Sequence, residues 1–340
     1  MKAAIVEKFG TLTVRDIPEP RAGDYGAFCE LLYGATCSGT DAHLIDGHQP
    51  FASWVRCPFV LGHESIGRVL RVGRRVRNLR VGDLVTRVGT PAVPGYHVGW
   101  GGFAEFGVAL DWRAMEADGV PATEWHGSRW NRVLPAGTDP AAATMVITWR
   151  ETLSYLLRMG FGADRTLVVL GSGGNGLSFL VQARNLGAAT TVMIGSPGRR
   201  AQAERAGAAA MVDYRAPDVG AQALAVCPGG FDFAIDALGR SAQANLGLSL
   251  LRPGGTIGVY GLDEAEVRLD AGRARGAFTA NKNGYDEAET HEQVMAMLQA
   301  GKLDASLWLD LDRAYPLSEI GAAFAAVRRR EIVKGLVKLG

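Results

Sequence analysis

A short β-rich run, Thr166-Leu167-Val168-Val169-Leu170, is followed at once by Gly171-Ser172-Gly173-Gly174-Asn175-Gly176, and then by Leu177–Leu186 with helical patterning. No other stretch limits the fold so tightly. Gly171 permits a tight turn, Gly173 lets backbone approach a ligand, and Gly176 lets a helix pack closely on a strand. The helix start presents free N–H groups and a partial positive charge to an anion. Strand, glycine turn and helix in that order predict a dinucleotide pyrophosphate site, with Gly171, Gly173, Gly174, Asn175 and Gly176 as its backbone cradle.

The surrounding grammar agrees. From about residue 148, strands and helices alternate. The expected strands are Thr166–Leu170, Thr191–Gly195, Ala210–Tyr214, Phe231–Leu238 and Thr256–Gly261, with a sixth at Ala277–Asn281. Helices are expected at about 175–187, 198–207 and 241–251. That pattern predicts a doubly wound parallel sheet with right-handed crossovers. Residues 1 to about 110 read differently, as short apolar runs broken by Gly and Pro: Lys2–Val6, Ala27–Tyr33, Gly67–Val72, Leu84–Val88 and Phe103–Val108. They suit a small β-barrel. Asp111–Pro135 reads as a long, polar, irregular loop carrying Trp112, Trp125, His126 and Trp130. Helical patterning at 287–300 and 317–327, then strand-like Gly335–Leu339, returns the tail to the first domain. The expected domains are therefore 1–147 with 286–340, and 148–285, in an α/β fold.

Charge and cysteine usage exclude several classes. Lys and Arg number 36 against 35 Asp and Glu, so no field favours nucleic acid or an anionic membrane. No apolar run approaches the roughly 20 residues of a membrane span. Cys29, Cys37, Cys57 and Cys227 form no C-x-x-C pair, and Met1–Val6 enters a strand pattern directly. A cytoplasmic protein with reduced thiols and a small-molecule partner is expected.

The end of the second strand selects the dinucleotide. A site for NAD usually carries Asp or Glu there, on the ribose 2′-OH. Here the chain runs Gly195-Ser196-Pro197-Gly198-Arg199-Arg200, without an acid. A small residue, a hydroxyl at Ser196 and two cations, Arg199 and Arg200, suit a 2′-phosphate. NADP is expected in preference to NAD.

In order along the chain stand Lys2-Ala3-Ala4, Gly39-Thr40-Asp41-Ala42-His43, Gly62-His63-Glu64, Val81-Gly82-Asp83-Leu84-Val85, Gly101–Phe106, the glycine turn and Leu251-Arg252-Pro253-Gly254-Gly255. Together they resemble the medium-chain dehydrogenase/reductase superfamily of zinc-type alcohol and polyol dehydrogenases over nearly the whole length. The resemblance implies a GroES-like β-barrel catalytic domain, a Rossmann domain and a cleft between them for the nicotinamide. It also implies a zinc held by Cys, His and a later Cys, Asp or Glu, with one open position. Ser38 stands where the ligand cysteine belongs, and Cys37, one residue early, would turn to the opposite face of a strand. His63 matches the second ligand. Ile147 falls at the third, unless a gap brings in Glu151. Catalytic zinc is therefore not expected; any surviving site would use His63 with Glu64 or Glu151. Thr86–Trp100 contains no cysteine, so structural zinc is not expected either.

The resemblance further assigns Thr40 and His43 to a proton relay; without zinc, hydrogen bonds must do its work, and Ser38, Thr40 and His63 are the candidates to stabilise charge on the reacting oxygen. Leu238, Tyr260, Thr279 and Lys334 are implied cofactor contacts, Lys334 near the pyrophosphate. His48, Phe51, Trp54, Trp100, Trp149 and Tyr285 are expected to line the substrate pocket. These residues suit an NADP(H)-dependent oxidoreductase acting on a secondary alcohol or ketone, such as a sugar, cyclitol or biosynthetic intermediate. Reduction of an activated C=C or C=N bond, and a non-catalytic nucleotide-binding protein, stay open as alternatives. A homodimer or homotetramer is expected, joined along Thr256–Gly261 and Ala277–Asn281.

Overall fold

Thr166–Leu170 forms the inner strand of a six-stranded parallel sheet in a computed structural model that describes residues 1–340. From edge to edge the strands are Ala210–Asp213, Thr190–Gly195, Thr166–Leu170, Phe231–Asp236, Leu251–Val259 and Phe278–Ala280. The order reverses between Thr166–Leu170 and Phe231–Asp236, and their carboxyl ends pair at Leu170 and Asp236. Ligands of such sheets bind at that reversal. The strands are near-continuous apolar runs because both faces are covered. Val168, Leu170, Val192, Ile194, Phe231 and Ile257 fill the core beneath the helices. The connecting helices are Gly174–Asn185, Arg200–Ala206, Val219–Val226 and Ser241–Leu250. Val219–Val226 was not legible beforehand: its sequence, Val-Gly-Ala-Gln-Ala-Leu-Ala-Val, has no clear polar face.

This sheet belongs to one of two compact units, Thr148–Thr290 with Ala300–Leu303. The other comprises Met1–Ile147, His291–Gln299 and Asp304–Gly340.

The first unit is built on antiparallel strands. Gly26–Ala35 pairs with Glu64–Val72 along most of its length, and also with Phe106–Leu110 and Leu336–Lys338. A smaller sheet joins Thr11–Asp16, Lys2–Lys8, Phe59–Val60 and His97–Val98. Between them lies a core that includes Ile5, Leu31, Phe59, Val85 and Phe103, all without exposed surface.

Asp111–Pro135 is not irregular, which corrects the reading of that stretch as a loop. Asp111 accepts from Ala114 N at 3.0 Å and caps the helix Trp112–Ala117. Its carboxylate also accepts from the backbone N–H groups of Arg77 and Asn78, at 2.6 and 2.7 Å. A second short helix, Ala122–Trp125, stacks Trp125 on Trp112 at 6.0 Å. No helix in the chain is long and apolar enough to cross a membrane.

Candidate functional site

In the second unit the site is made of backbone. Gly171 has φ +116°, a conformation that L side chains rarely adopt. A Cβ on Gly176 would stand 2.0 Å from the Gly171 carbonyl oxygen, so the turn closes onto the helix only because position 176 is glycine. The helix Gly174–Asn185 starts immediately after Gly173, with its first N–H groups at the carboxyl end of the sheet. The Ser196 N–H donates to Ser172 Oγ at 3.0 Å, tying the end of the second strand to the glycine turn. Arg199 ends the turn Pro197–Arg199, and Arg200 begins the next helix, exposed. Asp236, at the reversal, accepts from the N–H groups of Leu238, Gly239 and Arg240 at 2.9, 3.0 and 2.8 Å. Burial raises its pKa, against the pull of those three donors. Leu238 lies against Gly171, within 3.1 Å of where a Cβ would sit.

Other expected contacts fall less simply. Tyr260 is packed among Tyr155, Phe179 and Tyr285 at 5.2, 5.0 and 5.7 Å, and its hydroxyl donates to Glu151 at 3.2 Å. Glu151 is thus engaged with Tyr260. Thr279 is exposed on the edge strand. Trp149 has no exposed surface, and its carbonyl accepts from Gln182. It is core, not pocket lining: an indole this large, on a helix that packs inward, contributes most by full burial.

In the first unit the site is made of buried charge. The strand Gly26–Ala35 ends two residues before Cys37, and the helix Thr40–Asp46 begins three after it. Cys37 is therefore not in a strand and does not turn away. Its sulfur, one His63 nitrogen and one Glu64 oxygen all lie within 4.8 Å of one another. Asp41 locks this geometry. Its carboxylate accepts from the Cys37 N–H at 2.9 Å and from His63 Nδ1 at 2.9 Å. His63 Nε2 is left facing Glu64, at 3.9 Å. Glu64 in turn accepts from Lys334 Nζ at 2.7 and 2.5 Å, and the ammonium also reaches the Thr36 carbonyl at 3.4 Å. Burial opposes charge on His63, but Asp41 and then Cys37 outweigh it and hold its pKa well above the usual range. Burial likewise opposes Lys334, and Glu64 raises it. Lys334 is 3% exposed and committed to Glu64, which corrects its expected place at a pyrophosphate. A buried carboxylate needs its counter-charge more than a solvated phosphate does.

These residues fit a divalent cation. Thiolate, imidazole and carboxylate are zinc donors, and bonds of about 2.0–2.3 Å put tetrahedral donors about 3.3–3.8 Å apart, close to the spacing here. A carboxylate behind the other ring nitrogen is the usual support for a ligating histidine. One of the grounds for expecting no metal, that Cys37 faces away on a strand, is removed. Ser38 is exposed beside the cluster, and Ile147 is fully buried.

Thr40 is the first residue of its helix, which has no side-chain cap; Asp41 points back to Cys37 and His63 instead. His43, one turn along, stacks on Phe51 at 5.5 Å and lies 5.4 Å from His48. Phe51 meets Trp54 at 4.8 Å, Trp54 meets Trp100 at 6.5 Å, and Trp100 meets His63 at 5.5 Å. Four of the expected pocket residues therefore form one aromatic chain ending on His63. Tyr285, in contrast, packs on Tyr260 in the second unit. A cavity of about 570 Å³ opens beside the chain, lined by His63, Trp54, Trp100, Arg87, Trp130 and Asn131 among others. That size suits a small organic ligand. None of Cys37, Asp41, Arg87 and Trp130 is read from the sequence as a site residue: Cys37 is expected to face away and Trp130 to lie in a loop. Asp41 stood inside a quoted motif and Cys37 beside it; nothing local marked Arg87.

Comparison with known proteins follows these boundaries. Residues 32–118 match the alcohol dehydrogenase GroES-like domain, and residues 174–295 match the zinc-binding dehydrogenase family. L-galactonate-5-dehydrogenase of Escherichia coli (strain K12) is 28% identical over 95% of this chain and 94% of its own length. L-threonine 3-dehydrogenase of Pyrococcus furiosus is 28% identical over 85% of this chain and 84% of its own. A zinc-binding dehydrogenase from Sinorhizobium meliloti 1021 bound to NADP shares the fold, with TM-score 0.80 and 24% identity, covering 99% of this chain and 98% of that one. An alcohol dehydrogenase from Thermus sp. ATN1 does so with TM-score 0.82 and 23% identity over 99% of both chains. With a glycine turn on a parallel sheet in one unit and a GroES-like barrel in the other, the chain belongs to the medium-chain dehydrogenase/reductase superfamily and is an alcohol dehydrogenase-like enzyme of it.

Proposed function

We propose that the protein is an NADP(H)-dependent oxidoreductase that interconverts a secondary alcohol and its ketone, with a divalent cation held by Cys37, His63 and Glu64. One observation carries this reading: the three donors converge, with Asp41 fixed behind His63. A cation bound there would polarise the reacting oxygen and make the alcohol more acidic. The chain's own residues do the rest. Asp41 keeps the His63 proton on Nδ1 and leaves Nε2 as a donor atom. Oxidation of an alcohol releases one hydride and one proton. Thr40 is the hydroxyl that takes the proton, and His43 the imidazole that passes it outward. Trp54 and Trp100 keep water from the substrate's apolar face.

The choice of NADP is supported by the end of the second strand, where Gly195 and Ser196 offer no carboxylate and Arg199 and Arg200 follow. The S. meliloti relative bound to NADP agrees. Relatives named for L-galactonate and L-threonine support a small hydroxylated substrate. Lys334 favours a second reading. Its ammonium already occupies Glu64, and a chain that keeps it there without a metal would suit hydride transfer to an activated C=C or C=N bond.

The test is elemental analysis and turnover on protein purified without chelator. About one zinc per chain, lost in Cys37→Ala, together with kcat/KM at least about tenfold higher with NADP⁺ than with NAD⁺, supports the proposal. A metal-free, active chain that places deuterium from labelled NADPH β to a retained carbonyl moves it to C=C reduction. A preference for NAD⁺ overturns the cofactor assignment.

A further inference from the structure

The stretch Asp111–Pro135 builds part of a second cavity in the first unit, one that the proposed reaction does not use. It measures about 710 Å³, and none of Cys37, His63 and Glu64 lines it. Leu110 and Asn131 line both cavities and so stand between them. Four arginines line the second: Arg77, Arg80, Arg113 and Arg132. Each is carried on fixed backbone. Arg80 opens a turn in which its N–H donates to the Asp83 carboxylate at 2.8 Å and its carbonyl accepts from the Asp83 N–H at 3.0 Å. Arg113 lies on the helix capped by Asp111, and the same carboxylate ties that helix to Arg77 and Asn78. The Arg132 carbonyl accepts from the Thr86 N–H at 3.0 Å, and its N–H donates to Thr86 Oγ1 at 3.2 Å.

These charges differ in their partners. Arg77 is held by Asp118 at 2.9 Å and by the Ala114 carbonyl at 2.7 Å. Asp111 is fully occupied by N–H groups of Arg77, Asn78 and Ala114. Arg132 donates to Glu292 with one end of its guanidinium; Glu292 is 78% exposed, so solvent weakens that pair. Arg80 and Arg113 are exposed and make no ion pair, and Arg113 lies 5.2 Å from the Trp112 ring. Burial, and next the charge of Arg113, lower the Arg132 pKa, although Glu292 pulls the other way. Rigid backbone therefore holds like charges together beside one cavity.

We propose that this cavity binds an organic phosphate, with the phosphate among Arg80, Arg113 and Arg132 and the apolar part on Trp112 and Met295. A phosphate monoester carries about two negative charges near neutral pH and several acceptor oxygens. Arg132 already has one carboxylate in Glu292, and Arg80 and Arg113 have none. A dianion fits that remainder better than a second carboxylate, because planar guanidinium forks match phosphate oxygens. The cavity is also larger than an inorganic ion requires. Trp112 offers a rigid apolar face, and Met295 a side chain that adapts to what lies on it. The glycine turn belongs to the other unit. Binding here is therefore independent of which dinucleotide and which alcohol the enzyme takes.

The test is calorimetric titration of phenyl phosphate, phenol and inorganic phosphate into the full chain, with NADPH present to fill the glycine turn. Phenyl phosphate is expected to bind about tenfold or more tighter than either of the others. Arg80→Gln and Arg113→Gln each weaken it about tenfold. Both side chains are exposed, so the urea midpoint stays unchanged and reports that each variant is folded. Arg74→Gln is the control: Arg74 is 86% exposed, pairs with Asp24 and does not line the cavity. It leaves the affinity unchanged. On the unaltered chain, added sodium chloride weakens phenyl phosphate and leaves phenol as it was. No binding of phenyl phosphate, or equal binding of phenol or inorganic phosphate, overturns the proposal. So does an affinity that survives Arg80→Gln and Arg113→Gln together. A loss in Arg74→Gln as large as in Arg113→Gln overturns it too, since the basic surface as a whole would then be the attraction.

Discussion

The two units make their sites from different materials. The second uses backbone: a strand end, a turn at φ +116° and a helix start, with almost no side chain beyond Cβ in the cradle. The first uses buried side-chain charge: Asp41, His63, Glu64 and Lys334, each at most 4% exposed, drawn from three separate stretches of chain. A backbone cradle is local in sequence and tolerates no substitution that adds atoms. A charge cluster is non-local, and any member can be changed provided its partner changes with it. The contrast predicts how each site fails.

The largest effect is expected at Lys334. In chelator-treated protein, Lys334→Met leaves the Glu64 carboxylate buried without its ammonium, and removing one partner of such a pair costs about 3–5 kcal/mol. Adding Glu64→Leu removes the stranded charge and should recover most of the loss, since apolar replacement of a whole buried pair is often neutral. Urea unfolding of the single and double variants measures this. Equal destabilisation in both would show that the pair is not coupled, and would break the comparison on the side of charge. Next is Gly176→Ala. The new methyl meets the Gly171 carbonyl oxygen at 2.0 Å. The cost is about 3 kcal/mol, at the top of the overpacking range. Because the clash is with backbone, no second substitution relieves it. NADPH binding falls about a hundredfold by titration. Near-normal affinity would mean that the turn can open without loss, and that the cradle is less rigid than its geometry implies.

The same contrast explains what was legible in the sequence. The glycine turn declares itself within eleven residues, Thr166–Gly176, because strand, turn and helix are consecutive, and the parallel sheet follows from the alternation after it. The alternation does not give the strand order, with its reversal at Asp236, and no local pattern gives the charge cluster. Counted along a strand, Cys37 falls on the wrong face, yet the strand stops at Ala35 and the chain turns before the helix at Thr40. A one-residue offset matters in a strand, where faces alternate, and is absorbed in a turn. Lys334 lies 270 positions from Glu64, so no local pattern connects them. Trp149 was misplaced for another reason: its indole is equally at home lining a pocket or filling a core, and only its burial distinguishes the two. Asp111 shows the same limit in the fold, since its contacts with Arg77 and Asn78 turn an apparently irregular stretch into a capped helix.

Asp41 sharpens the comparison with the smallest change, one atom. Its carboxylate faces two donors, the Cys37 N–H and the His63 Nδ1–H, and a carboxylate can accept from both. Asp41→Asn keeps the shape and removes one acceptor. If the amide oxygen stays on Cys37, its NH₂ turns toward His63, Nδ1 must accept, and the ring proton moves to Nε2, the atom that faces Glu64. If the amide flips, its NH₂ meets the Cys37 N–H donor instead, and the turn that carries the sulfur is disturbed. Either orientation weakens one of the three metal donors without touching the others. The expected loss is about 10–100-fold in zinc affinity, the usual cost of a supporting residue behind a ligating histidine, measured by competition with a chromophoric chelator. Unchanged affinity would assign the orientation of His63 to its packing on Trp100, and the first unit's site would then rest on shape as the second unit's does.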